Sequence, residues 1–322
     1  MNINQMRCIN AIVKSNFNLS MAAIALHATQ PGVSAQIKQL ENELGIFIFQ
    51  RKGKRILGLT PAGKEVHRLG DEILKKISNI RLVGEEFNNE KRGVFTIATT
   101  HTQARYALPS VIAAFAKRYP EVQLRIRQGN PKQISEMVLH GEADIVIATE
   151  AIPNYDNLAM LPVYRWNRCV VARPEHPILQ ASHLHIKDIA EFPLLTYDFA
   201  FTGRSIMNRA FEQAGLIPNV VLTAIDSDVI KHYVELGLGI GIIANLAFDV
   251  DKDTGLKTIN ASHLFEYSVT SIGLLKNSFL RSFMYDFIEM FAPHLNRERV
   301  SLALQGGIHH PETINIEELP LR

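Results

Sequence analysis

From residue 95 onward, short apolar segments alternate with amphipathic ones, and this alternation restricts the possible fold more than any other feature. Apolar runs at 95–98, 122–126 and 143–148 predict strands, and apolar residues at helical spacing over 108–119 and 133–140 predict helices. Strands that alternate with helices form an α/β fold around a largely parallel sheet. We therefore expect an α/β domain over residues 93–295.

The alternation runs through this region twice. A second series of strands and helices extends from about residue 169 to residue 241, and a further strand at 268–275 is placed to return to the first sheet. This pattern predicts two lobes connected by two crossings of the chain. We expect lobe I to comprise residues 93–162 and 268–295, lobe II residues 163–267, and a C-terminal tail residues 296–322.

Threonines cluster at three predicted strand ends. Thr100, Thr102 and Gln103 lie between the first strand and the first helix of lobe I, Thr149 follows another strand, and Thr202 precedes a helix of lobe II. Ligands in α/β folds bind beyond the strand C-termini, where hydroxyls, amides and helix N–H groups hold anions. We therefore predict a small anionic ligand for these five residues. The alternative is that each threonine only caps a helix.

The first sixty residues have the pattern of a helix–turn–helix. Asn18 predicts the cap of a second helix, and Thr29 with Pro31 predicts the start of a third. Small and hydrogen-bonding side chains near the start of the third helix suit the major groove of DNA. Four residues of this helix are candidate DNA-binding residues: Gln30, Pro31, Ser34 and Lys38.

A basic hairpin follows the third helix. Two short alternating segments flank residues 52–54, which predicts a wing with a basic tip. Residues 1–60 carry seven basic and two acidic side chains, a net charge of +5 in a chain whose net charge is +2. This imbalance predicts a polyanion partner for this end of the chain, although a solvated basic turn is the alternative. The candidate phosphate contacts are Arg51, Lys52, Lys54 and Arg55.

Residues 1–60 are therefore predicted to form a winged helix-turn-helix, and residues 61–88 a long linker helix. Thr60 and Pro61 predict the helix start, and apolar residues recur every seven positions at Val66, Ile73, Ile80 and Phe87. Such heptads predict a two-stranded coiled coil. An amphipathic helix packed on its own domain is the alternative.

Signals of other protein classes are weak. The first ten residues lack a signal-peptide pattern, and the apolar stretch 236–248 is too short to span a bilayer. Two cysteines in apolar surroundings favour the cytoplasm. We predict no catalytic residue, no metal and no cofactor, because no nucleophile, phosphate-loop or zinc motif is present. An enzyme on the same two-lobed fold and a pure solute carrier are the alternatives from other classes.

The first sixty residues resemble the DNA-binding domain of LysR-type transcriptional regulators. The resemblance is carried by Ser20–Ala23, Thr29–Ser34, Leu40-Glu41, Leu44-Gly45, Phe49, Arg51 and Leu59–Gly63. It implies an α+β multidomain protein with a winged helix-turn-helix, a coiled-coil linker helix and a C-terminal two-lobed α/β effector domain like that of periplasmic binding proteins. It also implies double-stranded promoter DNA as a partner, dimerisation through the linker helix, and a possible contact with RNA polymerase. We expect a homotetramer, although the sequence leaves dimer and tetramer open.

The candidate ligand residues resemble those of one subgroup of this family. Thr100, Thr102, Gln103, Thr149 and Thr202 match the subgroup of CysB and Cbl, which regulates cysteine biosynthesis and sulfur assimilation. The resemblance implies N-acetylserine, O-acetylserine, sulfate, thiosulfate or adenosine phosphosulfate as effector. Tyr164 and Trp166 also match the subgroup, but a core or hinge role is the simpler interpretation of both. A LysR-type regulator of another pathway, with a different small anion, is the alternative.

Overall fold

The computed structural model describes residues 1–53, 55–88, 91–149, 155–198, 203–305 and 315–322, and it divides into two compact units, Met1–Asn88 and Asn89–Arg322. The first unit contains α1 (Ile3–Lys14), α2 (Leu19–Ala25), α3 (Gln30–Leu44), β1 (Phe49–Lys52), β2 (Arg55–Leu59) and α4 (Pro61–Phe87). The second unit contains β3 (Gly93–Thr99), α5 (Pro109–Arg118), β4 (Val122–Gln128), α6 (Pro131–Leu139), β5 (Ile145–Thr149), β6 (Leu158–Trp166), β7 (Arg168–Ala172), α7 (Ile186–Ala190), β8 (Leu194–Tyr197), α8 (Gly203–Gln213), β9 (Val220–Ala224), α9 (Ser227–Glu235), β10 (Ile240–Ala244), β11 (Lys257–Asn260), β12 (Ser268–Leu275), α10 (Ser282–Phe291) and α11 (Arg297–Leu304).

Side-chain caps start the helices of the first unit where the sequence predicts them. The Asn18 side chain accepts two backbone N–H groups of α2 at 3.1 Å, and the Thr29 hydroxyl accepts one of α3 at 3.3 Å. These bonds satisfy donors that a helix start otherwise leaves unpaired. The apolar faces of α1, α2 and α3 meet in one core, in which Ile9, Ile12 and Leu40 are fully buried.

Helix α4 combines both predicted interpretations of the linker. Its start is capped by the Thr60 hydroxyl, and Val66 and Leu74 pack against the core of the first unit. The heptad row turns away from that core further along, because Ile80 is 70% exposed and Phe87 is 83% exposed. An apolar row of this kind on a single chain is typical of an unburied coiled-coil seam.

Each lobe of the second unit is built on a five-stranded sheet. The strand order is β4-β3-β5-β12-β6 in lobe I and β11-β7-β10-β8-β9 in lobe II. The expectation of largely parallel sheets is only half right, since each sheet has two parallel and two antiparallel pairs. In lobe I, β12 accounts for both antiparallel pairs, because the chain that left lobe I through β6 re-enters it in the opposite direction.

The border between the lobes differs from the expected one at residue 162. Strand β6 continues to Trp166, which pairs with Ser268 at the start of β12. The chain therefore leaves lobe I and returns to it at two paired, neighbouring residues. Residues 163–166 therefore belong to lobe I. Residues 296–322 also differ from a simple tail, since α11 places Val300 and Leu304 in the lobe I core.

Neither a membrane span nor a metal cluster is found within the ranges described above. No helix there has the length and apolar character that a bilayer crossing requires. No group of three or more His, Cys, Asp or Glu side chains there is arranged to hold a metal ion.

Candidate functional site

The start of α3 presents most of its predicted residues to solvent. Gln30, Pro31 and Lys38 are exposed, and Ser34 is half-buried on the same helix. The Ser20 hydroxyl donates to Gln30 Oε1 at 3.1 Å, which orients the Gln30 amide. An oriented amide at the first turn of a recognition helix is placed to read base edges in the major groove.

The wing presents two of its predicted basic side chains to solvent. Strands β1 and β2 pair in an antiparallel hairpin, and Lys52 and Arg55 are exposed, whereas Lys54 lies outside the described residues. Asn18, Gln30 and Arg55 line one crevice of about 430 Å³, so the start of α3 and the end of β2 nearest the wing tip share a surface. This surface carries side chains that the sequence predicts to read bases and to contact phosphates.

Arg51 has a second role that its sequence position does not reveal. Its guanidinium pairs with Glu41 at 3.0 Å, and the largely buried Glu41 also accepts the backbone N–H groups of Ile48 and Phe49 at 2.9 and 3.3 Å. Glu41 thus ties α3 to the first strand of the wing. Because the Arg51 guanidinium neutralises this buried carboxylate, Arg51 is less available to contact DNA phosphates.

Four side chains form a polar floor at one end of lobe I. Thr149, Thr270 and Tyr164 lie side by side on β5, β12 and β6, because Thr270 pairs with both of the others. Thr149 Oγ1 lies 3.5 Å from Thr270 Oγ1. The Gln103 amide spans the row, with Nε2 donating to Thr270 Oγ1 at 3.3 Å and Oε1 accepting from the Tyr164 hydroxyl. The fold therefore brings the predicted Gln103 and Thr149 to one place.

The segment after β3 is a helical start at the edge of this floor. Thr100 follows β3 directly, and residues Gln103–Ala107 form a π-helical turn, a geometry that is frequent at functional sites. The Thr102 hydroxyl makes no capping hydrogen bond. Thr149 ends β5 and contacts Thr270, so within the described part of the chain neither of these two threonine side chains caps a helix. Thr202 lies outside the described residues.

A charged cluster connects the two lobes beside Thr100 and Thr102. Asp228, on α9 of lobe II, lies 3.2 Å from His101 Nε2 and 3.4 Å from Arg105 Nε of lobe I, and it accepts a hydrogen bond from the Tyr106 hydroxyl. Burial would raise the pKa of Asp228, but the hydrogen bonds from Tyr106 and His101 outweigh burial and hold the pKa at about 2. Burial and Asp228 in turn raise the pKa of Tyr106 to about 12.

Lys231 anchors this cluster in lobe II. Its ammonium donates to Asp253 Oδ1 and Oδ2 at 2.9 and 3.0 Å, to the Ala247 carbonyl at 3.0 Å, and to the Tyr106 hydroxyl at 3.1 Å. Burial would lower the pKa of Lys231, but these partners outweigh burial and raise it. The interlobe cluster (His101, Arg105, Tyr106, Asp228, Lys231 and Asp253) is therefore hydrogen-bonded around an ionised Asp228 and an ionised Lys231.

The crossing between the lobes has its own polar contacts. The buried Arg168 donates to Ser268 Oγ at 2.9 Å. This bond links the start of β7 in lobe II to the start of β12 in lobe I. The guanidinium carbon of Arg168 lies 4.9 Å from the Trp166 ring centre. Trp166 therefore lies at the hinge, in line with the simpler interpretation of this residue. Tyr164 instead belongs to the polar floor.

Sequence reasoning missed Thr270 and the interlobe cluster. Asp228 and Lys231 lie three positions apart on an amphipathic helix, which is typical of an ordinary surface ion pair. Their partners in lobe I lie more than 120 residues away in the chain, so no local pattern connects them.

Comparisons with known proteins agree with this architecture. The family model described as "Bacterial regulatory helix-turn-helix protein, lysR family" matches residues 3–64, and the model described as "LysR substrate binding domain" matches residues 88–296. Together the two matches cover most of the chain and both predicted functional regions.

Individual relatives match over nearly their full length. The chain is 49% identical over 308 residues to the HTH-type transcriptional regulator SsuR of Burkholderia cenocepacia, covering 96% of this chain and 100% of that protein. It is 47% identical over 306 residues to the regulator CysB of the same organism, covering 95% and 98%. A crystal structure of the cofactor-binding domain of the Cbl transcriptional regulator is 41% identical, with a TM-score of 0.64, and covers 67% of this chain and 94% of that chain.

These matches confirm the predicted winged helix-turn-helix followed by a two-lobed effector domain, and they confirm the predicted similarity to CysB and Cbl. In this family the first domain binds promoter DNA, the second binds a small-molecule effector, and the proteins oligomerise. The chain is a member of the LysR family of bacterial transcriptional regulators, and it is not an enzyme.

Proposed function

We propose that this regulator controls genes of sulfur assimilation and cysteine biosynthesis, and that a small anion bound in the two-lobed domain sets its activity. The similarity to CysB and to the Cbl effector domain supports the pathway. The observation that carries the ligand class is the polar floor, in which Gln103 and Thr149 each contact Thr270. Thr102 directly precedes Gln103, and its hydroxyl makes no capping hydrogen bond.

The effectors that we propose are N-acetylserine, O-acetylserine, sulfate, thiosulfate or adenosine phosphosulfate. All are anionic or zwitterionic, and their oxygens accept hydrogen bonds from hydroxyl, amide and backbone N–H donors. Thr100, Thr102 and Gln103 supply such donors from lobe I, together with Thr149 at the strand end. Thr202, which lies outside the described residues, is proposed to contribute from lobe II.

An effector changes a protein only through its different affinity for two conformations. A ligand on residues 100–103 lies next to His101, which contacts Asp228 of the other lobe. We propose that binding biases the interlobe cluster and so the arrangement of the lobes. That bias is the signal passed to the DNA-binding half.

The DNA-binding residues that we propose are Gln30, Pro31, Ser34, Lys38, Arg51, Lys52, Lys54 and Arg55, of which Arg51 has the weaker role for the reason given above. We propose that α4 forms the dimer through its exposed heptad row, since Ile80 and Phe87 are apolar and exposed. Pairing of dimers into a tetramer and a contact with RNA polymerase complete the proposal. We expect the protein to act in the cytoplasm, where the bacterial chromosome lies.

Calorimetry of the full chain against a panel of sulfur metabolites tests the ligand. Removal of one charge-assisted hydrogen bond costs about 1.5–3 kcal/mol, so Thr102→Val should weaken binding roughly tenfold or more. Thr258→Val, at an exposed position on β11, is the matched control and should bind as the wild type does. Equal affinities for all three proteins would remove Thr102 from the site. Binding of only non-sulfur anions would instead favour a regulator of another pathway.

A further inference from the structure

Residues 315–322, here called the strap, lie against β6 at the edge of the lobe I sheet. The backbone N–H of Arg165 donates to the Pro320 carbonyl at 2.9 Å, and the N–H of Arg322 donates to the Arg165 carbonyl at 3.0 Å. Leu321 pairs with Arg165 in the parallel sense, and Leu319 is buried. The strap therefore adds a short sixth segment to an edge that β6 would otherwise leave open.

The strap also places a cation over a buried aromatic ring. The guanidinium carbon of Arg322 lies 4.8 Å from the ring centre of Tyr164 and 5.3 Å from that of Phe291. Its Nη2 donates to the Phe291 carbonyl at 3.5 Å. The rings of Tyr164 and Phe291 meet edge to face at 6.0 Å, and Tyr164 is only 1% exposed. A cation within about 6 Å of a desolvated ring is attracted to its face, so Arg322 restricts the position of Tyr164.

The hydroxyl of the same ring contacts the polar floor. Tyr164 donates to Gln103 Oε1, and the other end of that amide donates to Thr270, which contacts Thr149. Gln103 is 1% exposed, so its amide has few alternative partners if Tyr164 moves. A shift of the Tyr164 ring therefore displaces a side chain of the ligand site.

We propose that Arg322 is a positioning residue for the effector site. By holding the Tyr164 ring it sets the position of the Gln103 amide, and the strap thereby tunes the affinity of lobe I for the effector anion. This inference rests on the proposed function, because it assigns Gln103 to effector binding. It adds residues 315–322 to the elements that determine ligand affinity.

The test compares Arg322→Ala with a matched control in the full chain. Arg297→Ala removes a similar cation–ring contact in the same lobe, where the guanidinium carbon lies 4.6 Å from the Tyr285 ring. Calorimetry uses inorganic sulfate and O-acetylserine as the two probes. A tenfold change in affinity corresponds to about 1.4 kcal/mol, which lies within the interaction energies typical of side chains in contact. We therefore expect Arg322→Ala to bind each probe roughly tenfold more weakly than the wild type. Arg322→Lys keeps the charge and should lose less, and Arg297→Ala should bind as the wild type does.

A double-mutant cycle separates positioning from general stability. Tyr164→Phe keeps the ring but removes the hydroxyl that holds Gln103, so Arg322→Ala should have less than about a twofold further effect in that background. Additive losses, or wild-type affinity in Arg322→Ala, would overturn this inference and leave the proposed function intact. Wild-type protein that binds neither probe would remove sulfate and O-acetylserine from the proposed effectors, and it would overturn this inference.

Discussion

Gly63 lies where the first turn of α4 passes the chain that leads into the wing. A Cβ atom at Gly63 would meet the Ile48 carbonyl oxygen at 1.9 Å and its carbon at 2.8 Å, although real Cβ atoms essentially never come within 3.0 Å of a heavy atom outside their own and neighbouring residues. Both contacts are with backbone, so a Gly63→Ala helix must move away by about 1 Å. That movement strains the Thr60 N–H bond to Ile48, at 2.9 Å, and the Thr60 hydroxyl bond to the Phe47 carbonyl, at 2.6 Å.

The magnitude follows from these contacts. Overpacking costs about 1–3 kcal/mol, and each weakened hydrogen bond costs about 0.5–1.5 kcal/mol. Alanine gains about 1 kcal/mol over glycine in a helix, so with two weakened hydrogen bonds the net loss in stability of the first unit is about 1–5 kcal/mol. Gly84→Ala, in the same helix, is the control because nothing lies within 4 Å of the position that its new methyl group would take. It should stabilise α4 by up to about 1 kcal/mol.

Hydrogen exchange of the full chain, followed by mass spectrometry, measures both variants. Peptides from α1 and α3 should exchange roughly fivefold faster or more in Gly63→Ala, since each 1.4 kcal/mol is a factor of ten. Peptides from the two-lobed unit should be unchanged. If Gly63→Ala protected α1 and α3 as well as Gly84→Ala does, the close approach of α4 to Ile48 would be refuted.

Three further predictions address the charged cluster, the DNA surface and the dimer. The pKa of Asp228 is lowered to about 2, so the ionised carboxylate stabilises the fold above pH 4, and this stabilisation is lost as the pH falls toward 2. Asp228 is partly exposed, so Asp228→Asn should lower the free energy of unfolding near pH 6 by only about 1 kcal/mol. The same variant should flatten the acid-unfolding profile between pH 4 and pH 2. Lys52→Ala should weaken binding to all DNA sequences alike and reduce the slope of log affinity against log salt by about one, whereas Gln30→Ala should change the preference between DNA sites by about 1–3 kcal/mol. Salt-dependent fluorescence anisotropy measures both effects. A changed site preference in Lys52→Ala together with an unchanged one in Gln30→Ala would contradict both assignments. Ile80→Asp should dissociate the oligomer in sedimentation velocity, whereas Ile217→Asp, at another exposed isoleucine, should leave it intact; an intact Ile80→Asp oligomer would remove α4 from the interface.

Features that depend on near neighbours in the chain were predictable. Asn18, Thr29 and Thr60 cap helices as expected, because a cap needs only a side chain and an N–H group two or three residues later.

Features that depend on contacts between residues far apart in the sequence could not be predicted from local patterns. The antiparallel pairs of β12 exist only because the chain crosses between the lobes twice, and the border at Trp166 follows from that pairing. Gln103 and Thr149 were identified as single residues, but Thr270 comes from a strand that enters the floor more than 100 residues later. The partners of Asp228 and Tyr164 likewise come from distant segments, so only the tertiary structure connects them.

The central claim is that a sulfur-related anion controls the DNA binding of this regulator, and one titration tests it directly. Fluorescence anisotropy of the full chain on promoter DNA from a cysteine-biosynthesis gene is measured with and without O-acetylserine, N-acetylserine or sulfate at fixed ionic strength. We expect at least one of these anions to change the affinity of the protein for the DNA about fivefold or more. Thr102→Val should abolish most of that change at the same ligand concentration. Identical binding curves at saturating concentrations of every anion, with the DNA complex itself intact, would contradict the claim.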